Sequence, residues 1–201
     1  MKLGRITITK GALVLLAWLF YLDQQFLLPI SAAACALHEL GHYAAMRCIK
    51  KRVKALSITV SGVVMEPEGP MGYGQEALVA LAGPGVSLFL AFFLANRKIL
   101  PLFCGLNLLL GCLNFLPLNQ LDGGRVLRCI VSLLFSVEAA ERICAGLSCL
   151  LTGLLLAAGG QLLWKTGNVT LLCVALWQFS TIKMSKKYGF RSCHVAPKKV
   201  E

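Results

Sequence analysis

The residues with the clearest chemical meaning lie in the segment His38-Glu39-Leu40-Gly41-His42. On a helix, His38 and His42 rise from one face a turn apart, close enough to bind a single zinc ion. Glu39 can then act as general base on a metal-activated water. The third histidine of the chain, His194, has no partner in the sequence and is interpreted as a surface residue. The segment therefore indicates a zinc peptidase.

A catalytic zinc site needs a third protein ligand and leaves one position for water. Glu39 cannot be that ligand, because neighbouring helical residues point about 100° apart. We predict that Asp122 is the third ligand, within a stretch whose Pro117 and two glycines indicate irregular backbone at membrane depth. Such backbone is tolerated only where protein or a watery cavity covers it. The alternative is that Asp122 caps the helix beginning at Gly123.

Two asparagines near this stretch, Asn114 and Asn119, are candidates for orienting the substrate or its scissile carbonyl. Amides are suitable donors to a developing oxyanion. Helix packing explains the same residues equally well, and both interpretations stay open.

The elements that position these residues are predicted to be membrane helices. Only 14% of the 201 residues are charged, 57% are hydrophobic and the mean hydropathy is +0.73. Soluble domains carry about 25% charged residues, whereas apolar runs of roughly 18 residues or more indicate membrane spans. The N-terminus resembles a signal peptide but lacks a clear cleavage site, so we interpret it as the first span. Six spans are predicted, at about residues 11–28, 30–48, 76–95, 99–118, 143–163 and 168–184.

The fold class that follows is an all-α polytopic membrane protein with one membrane-embedded domain, 1–185, and a short basic tail, 186–201. With six crossings, 17 of the 20 lysines and arginines fall on one side, leaving Arg97, Lys98 and Lys165 on the other. This positive-inside bias predicts that both termini are cytoplasmic. It also explains the net charge of +11 without a nucleic-acid partner. Counted from Arg47, the histidines lie roughly 8–14 Å inside the membrane, where ionisable residues usually have a function.

Between the second and third spans, residues 55–65 alternate in part and are rich in β-branched side chains. With Gly62 as a bend, they predict one or two short strands, followed by a loop at 66–74. An open strand edge cannot face lipid, so we place a short β-hairpin at the cytoplasmic interface. Its edge could pair with an extended substrate segment, or the hairpin could be structural only.

Taken together, the motifs resemble the site-2 protease family of intramembrane zinc metalloproteases. The layout is most similar to the bacterial stage IV sporulation protein FB branch, which releases a sporulation sigma factor from its membrane-bound pro-form. Many members of the family have Asn where this chain has Ser87. The resemblance rests on His38-Glu39-Leu40-Gly41-His42, Ala82-Gly83-Pro84 and Asn114-x-x-Pro117-x-x-x-Leu121-Asp122-Gly123-Gly124-Arg125.

The resemblance implies that His38, His42 and Asp122 bind one zinc ion and that Glu39 is the catalytic base. It implies a membrane-tethered protein substrate, cut in or near its transmembrane segment, and a location in the bacterial cell membrane. Whether a membrane inhibitor or regulatory partner controls the protein is left open.

A competing hypothesis is a non-catalytic membrane protein, a transporter or scaffold with a structural metal. It predicts a closed four-ligand site, or an Asp122 far from both histidines.

Overall fold

The computed structural model describes residues 2–3, 6–23, 27–59, 62–95, 101–169, 171–176 and 178–179. The chain is mostly helical, with one small four-stranded sheet whose strands come from two separate parts of the sequence. The strands are β1 (Lys2–Leu3), β2 (Ile6–Ile8), β3 (Val53–Thr59) and β4 (Gly62–Pro67). The helices are α1 (Lys10–Leu22), α2 (Leu27–Cys48), α3 (Tyr73–Ala95), α4 (Pro101–Asn114), α5 (Asp122–Leu134) and α6 (Val137–Thr166).

Two of these helices, α3 and α6, are long and apolar enough to cross a membrane. Helix α2 has 22 residues and is therefore about 33 Å long, sufficient for a crossing, although its polar side chains lower its hydropathy. Helices α1 and α4 have 13 and 14 residues, shorter than the spans predicted for them. The prediction of six crossings therefore stays a prediction. Residues 180–201, with the end of the sixth predicted span, the tail and His194, lie outside the described residues.

The distribution of side chains is the reverse of that in a water-soluble protein. Helix α3 turns Phe89, Phe92 and Phe93 outward, each more than half exposed, while Glu76 and Ser87 on the same helix are fully buried. Large apolar patches on a surface mark contact with lipid or another protein. Polar groups in the centre and apolar groups outside fit a bilayer as the surrounding solvent.

The predicted β-hairpin is confirmed but belongs to a larger sheet. Strands β3 and β4 pair antiparallel, and Gly62 begins β4 with a φ of 125°, a conformation that favours glycine. Strand β2 pairs parallel with β3, and β1 pairs antiparallel with β2. The sequence analysis predicted no strand before the first span, whereas the first residues add two strands to the hairpin before α1 begins. These strands have only two or three residues, too few to show an alternating pattern.

The sheet is attached to the helices by a small apolar core. Its buried centre consists of Met46 of α2, Val79 of α3 and Met71, which lies just before α3. Val53 and Met65 of the hairpin pack against them. Met46 lies one helical turn beyond His42, so the sheet sits against the end of α2 that follows the histidines.

Residues 115–121 connect α4 to α5 by irregular backbone, as Pro117 and the glycines predict. The segment is covered by protein, since the backbone N–H of Asn119 donates to the hydroxyl of Ser148 on α6 at 3.1 Å. A Cβ on Gly123 would contact the carbonyl oxygens of Phe115 and Leu116, and one on Gly124 would collide with the carbonyl of Leu118. The paired glycines therefore let the start of α5 lie directly on this connection.

We expect Gly124→Ala to lower the thermal unfolding midpoint of the purified protein, because the added methyl group meets backbone rather than a flexible side chain. Gly146→Ala on α6 is the matched control, since a Cβ there meets nothing within 4 Å. Alanine favours helices by about 1 kcal/mol over glycine, so the control should be as stable as the wild type or more so. Equal midpoints for the two variants would contradict this account of the connection.

Candidate metal centre

Three buried donor atoms from two distant parts of the chain meet at one point. Helix α2 places His38 and His42 on the same face, and Asp122 stands at the first turn of α5. The Nε2 atoms of the two histidines are 3.2 Å apart, and Oδ2 of Asp122 is 3.2 Å from each of them. Within the described part of the chain, these three residues are the group of His, Cys, Asp or Glu that could hold a metal ion.

The triangle has the dimensions of a zinc site. Zinc binds histidine nitrogen and carboxylate oxygen at about 2.0–2.2 Å, so neighbouring ligands of a tetrahedral ion stand about 3.3–3.6 Å apart. The observed separations of 3.2 Å match three corners of such a tetrahedron. The donor set of two imidazoles and one carboxylate is also one that catalytic zinc uses. The residues present therefore fit the ion that the sequence predicts.

The second nitrogen of each imidazole is held by α3. His42 Nδ1 donates to the backbone carbonyl of Val79 at 2.7 Å, and His38 Nδ1 lies 3.0 Å from the hydroxyl of Ser87. A carbonyl only accepts, so the proton of neutral His42 resides on Nδ1 and its Nε2 presents a lone pair to the centre. The same tautomer of His38 follows if Ser87 Oγ accepts its Nδ1 proton. Such outer partners fix ring orientation in metal sites.

Gly83 brings the backbone of α3 against the two imidazoles. A Cβ at this position would collide with Nε2 of His42 and come within 2.8 Å of Nε2 of His38. Gly41 acts in the same way on α2, where a Cβ would lie 2.7 Å from the carbonyl oxygen of Ala82. In the sequence, the Gly83-Pro84 pair is only weak evidence for a functional site. The structure shows that Gly83 lies directly against the imidazoles of the site.

Asp122 does not cap α5. Leu121 occupies the N-cap position without a side-chain cap bond, and Asp122 is the first helical residue. Its Oδ2 faces the histidines, while its Oδ1 lies 3.6 Å from Nη1 of Arg125. Both carboxylate oxygens therefore face side chains of the metal centre, and neither caps the backbone N–H groups at the start of α5.

Glu39 is half-buried on α2, directly after the first histidine. His38, His42, Asp122 and Arg125 are the charged or titratable groups that act on it electrostatically. This places a carboxylate beside the donor triangle without making it part of the triangle, as the sequence predicts for a base rather than a ligand.

The two asparagines make different contacts. The side-chain amide of Asn114 donates to the carbonyl of Leu110 on its own helix at 3.0 Å. Asn119 bonds through its backbone to Ser148, while its side-chain Oδ1 is buried without a hydrogen-bond partner among the described atoms. A role for either in binding substrate stays a prediction.

Four residues that surround the site were not predicted from the sequence: Val79, Ser87, Arg125 and Glu76. Val79 contributes a backbone carbonyl, which no side-chain pattern reveals. Arg125 follows Asp122 by three residues and therefore shares its helical face, a signal that local spacing did contain. Glu76 is an acid at the start of an apolar helix, and its pairing with Arg125 spans 49 residues of sequence.

Known proteins provide an independent comparison. The chain is 34% identical over 155 residues to a zinc metalloprotease of Methanocaldococcus jannaschii, an alignment that covers 71% of this chain. It covers 44% of that protein, so the chain spans less than half the length of this relative. No protein-family model matches the chain.

Among solved structures, a site-2 protease from Methanocaldococcus jannaschii shares the fold with a TM-score of 0.65. The superposition covers 92% of each chain at 24% sequence identity. The solved structure shows that this chain shares the fold of that protease, and the relative in sequence is a zinc metalloprotease. The sporulation branch of the family stays a prediction.

We expect Gly83→Ala to lose most of its zinc, because the new methyl group would occupy space against both Nε2 atoms. Gly85→Ala is the matched control two residues along the same helix, where a Cβ meets nothing within 4 Å. The measurement is the zinc content of each purified variant. Wild-type zinc content in Gly83→Ala would show that the backbone of α3 does not lie against the site.

We expect Ser87→Ala to weaken zinc binding by roughly tenfold or more, because His38 loses the partner of its Nδ1 atom. The measurement is competition for zinc against a chelator. Ser31→Ala is the control, since the Ser31 hydroxyl donates to the carbonyl of Leu28 on its own helix. If both variants bind zinc as tightly as the wild type, Ser87 does not contribute to zinc binding.

Proposed function

We propose that the chain is an intramembrane zinc endopeptidase of the site-2 protease type. The observation that carries the proposal is the buried triangle of His38, His42 and Asp122, with 3.2 Å between each pair of donor atoms and Glu39 alongside. Its position within α2 and at the start of α5, inside an apolar exterior, supports a site at membrane depth.

Such a site would hold a single zinc ion, which would supply polarisation of a peptide carbonyl and activation of water near neutral pH. His38, His42 and Asp122 would hold the ion, and the bonds to Val79 and Ser87 keep the two rings turned toward it. Glu39, adjacent to the ligands, takes a proton from the attacking water and returns it to the leaving amine nitrogen.

A structural metal in a transporter or scaffold is the competing function. It requires a fourth protein ligand, or an Asp122 remote from the histidines. Asp122 contacts both histidines, and no fourth His, Cys, Asp or Glu joins the triangle among the described residues. Both observations favour the catalytic alternative, in which one position is left for water.

The substrate class we propose is a membrane-tethered protein cut in or near its transmembrane segment. The site lies among apolar helices, so the scissile bond must be reached from within the bilayer or its edge. A pro-sigma factor or another tethered regulator is the substrate that the sequence resemblance implies. The same resemblance, with the charge bias, leads us to propose a multi-pass protein of the bacterial cell membrane with cytoplasmic termini.

Strand β4 supports a way to hold such a substrate. It is the last strand of the sheet, next to the apolar core around Met46, and no described residue pairs with its outer edge. An unwound substrate segment could add to this edge as a further strand. A purely structural sheet would have the same edge, so this element adds support only together with the metal centre.

We expect Glu39→Gln to abolish proteolysis while zinc stays bound, because the amide cannot accept a proton but is not a ligand. The loss of a general base is expected to slow cleavage by roughly 10²–10⁴-fold. The assay is co-expression with a panel of membrane-tethered transcription factors, scored for fragments that depend on the wild-type chain.

Glu141→Gln is the control, since Glu141 is an exposed acid on α6 for which no role in the site is proposed. His42→Ala should lose both cleavage and zinc. Cleavage that persists in Glu39→Gln at the wild-type rate would overturn the mechanism.

A further inference from the structure

Arg125 bridges two carboxylates at the edge of the metal centre. Its Nη2 atom donates to Oε1 of Glu76 on α3 at 3.0 Å, and its Nη1 atom lies 3.6 Å from Oδ1 of Asp122. Arginine suits this position because its planar fork presents several donors in a fixed geometry. One guanidinium thereby connects α3 to the ligand on α5.

The two oxygens of Asp122 have separate tasks. Oδ2 faces both histidines at 3.2 Å, and Oδ1 faces Arg125. Rotation of the carboxylate would exchange or misalign these oxygens. Because Arg125 follows by three residues on the same helical face, it can oppose that rotation without any change in the backbone.

The negative charge of Glu76 compensates the positive charge of Arg125 beside the metal centre. A guanidinium beside a cation site would repel the cation, unless a further negative charge neutralises it. Glu76 is fully buried, and a buried carboxylate is costly without a partner. Paired with each other, Arg125 and Glu76 add no net charge next to the donor triangle.

We infer that Arg125 and Glu76 are positioning residues, which form a charge-neutral clamp that holds Asp122 in its metal-binding orientation and so raises zinc affinity. This inference rests on the proposed zinc site. Outer partners of this kind typically contribute 10–100-fold to metal affinity. A simpler role would be a tie between α3 and α5, which would stabilise the fold and leave zinc binding unchanged.

Zinc affinity of the full chain in detergent separates these roles, measured by competition between the metal-free protein and a chelator. The double variant Glu76→Gln with Arg125→Met removes the clamp without leaving a buried charge unpaired. We expect its zinc affinity to fall 10–100-fold, and the visible absorption of the cobalt-substituted protein to change shape. The exposed Arg142 on α6 provides a control in Arg142→Met, which should keep wild-type affinity and spectrum.

A folded double variant with wild-type zinc affinity and a lower unfolding temperature would overturn the inference in favour of a tie between helices. If the double variant does not fold, Glu76→Gln alone gives the answer. The amide still accepts from Arg125 but leaves the guanidinium charge uncompensated, so its affinity should fall about tenfold. Unchanged affinity in this variant overturns the inference as well.

Asp122→Ala distinguishes failure of the clamp from failure of the proposed function. Loss of zinc in Asp122→Ala, together with wild-type affinity in the clamp variants, would reject the clamp alone. Wild-type affinity in Asp122→Ala would reject the zinc site on which the clamp depends.

Discussion

The convergence of three donor atoms at 3.2 Å inside an apolar exterior is the constraint on which the rest of the structure depends. Each donor is polar, and an unpartnered polar group in such surroundings is costly. The centre is therefore enclosed by groups that take up the remaining hydrogen-bonding capacity. Val79 and Ser87 bind the far nitrogens of the imidazoles, and Arg125 faces the second oxygen of Asp122.

Close backbone approach makes this convergence possible. Helix α3 supplies the two imidazole partners and also passes directly beside the rings, which only glycine at position 83 permits. At the other side, Gly123 and Gly124 let α5 begin against the connection from α4, so that Asp122 projects from the first turn. The glycines thus serve the geometry of the site more than the flexibility of the chain.

The sequence was sufficient to predict the features that depend on local spacing or on the ligands that a zinc site requires. The histidines share a face because they are four residues apart, and Asp122 is the acid that a third ligand requires. The two N-terminal strands were not predicted because they are too short to carry a pattern and lie within a basic start typical of a span. The pairing of Glu76 with Arg125 joins residues 49 apart, and no local periodicity encodes such a contact.

X-ray absorption at the zinc edge of the purified full chain tests the central claim most directly, because it counts the atoms around the ion. We expect four nitrogen or oxygen neighbours at about 2.0–2.2 Å, with the imidazole contribution of two histidines. Asp122→Ala should change this shell and His194→Ala should not. A sulfur neighbour at about 2.3 Å, or a shell unaltered by Asp122→Ala, would contradict a site built from His38, His42 and Asp122.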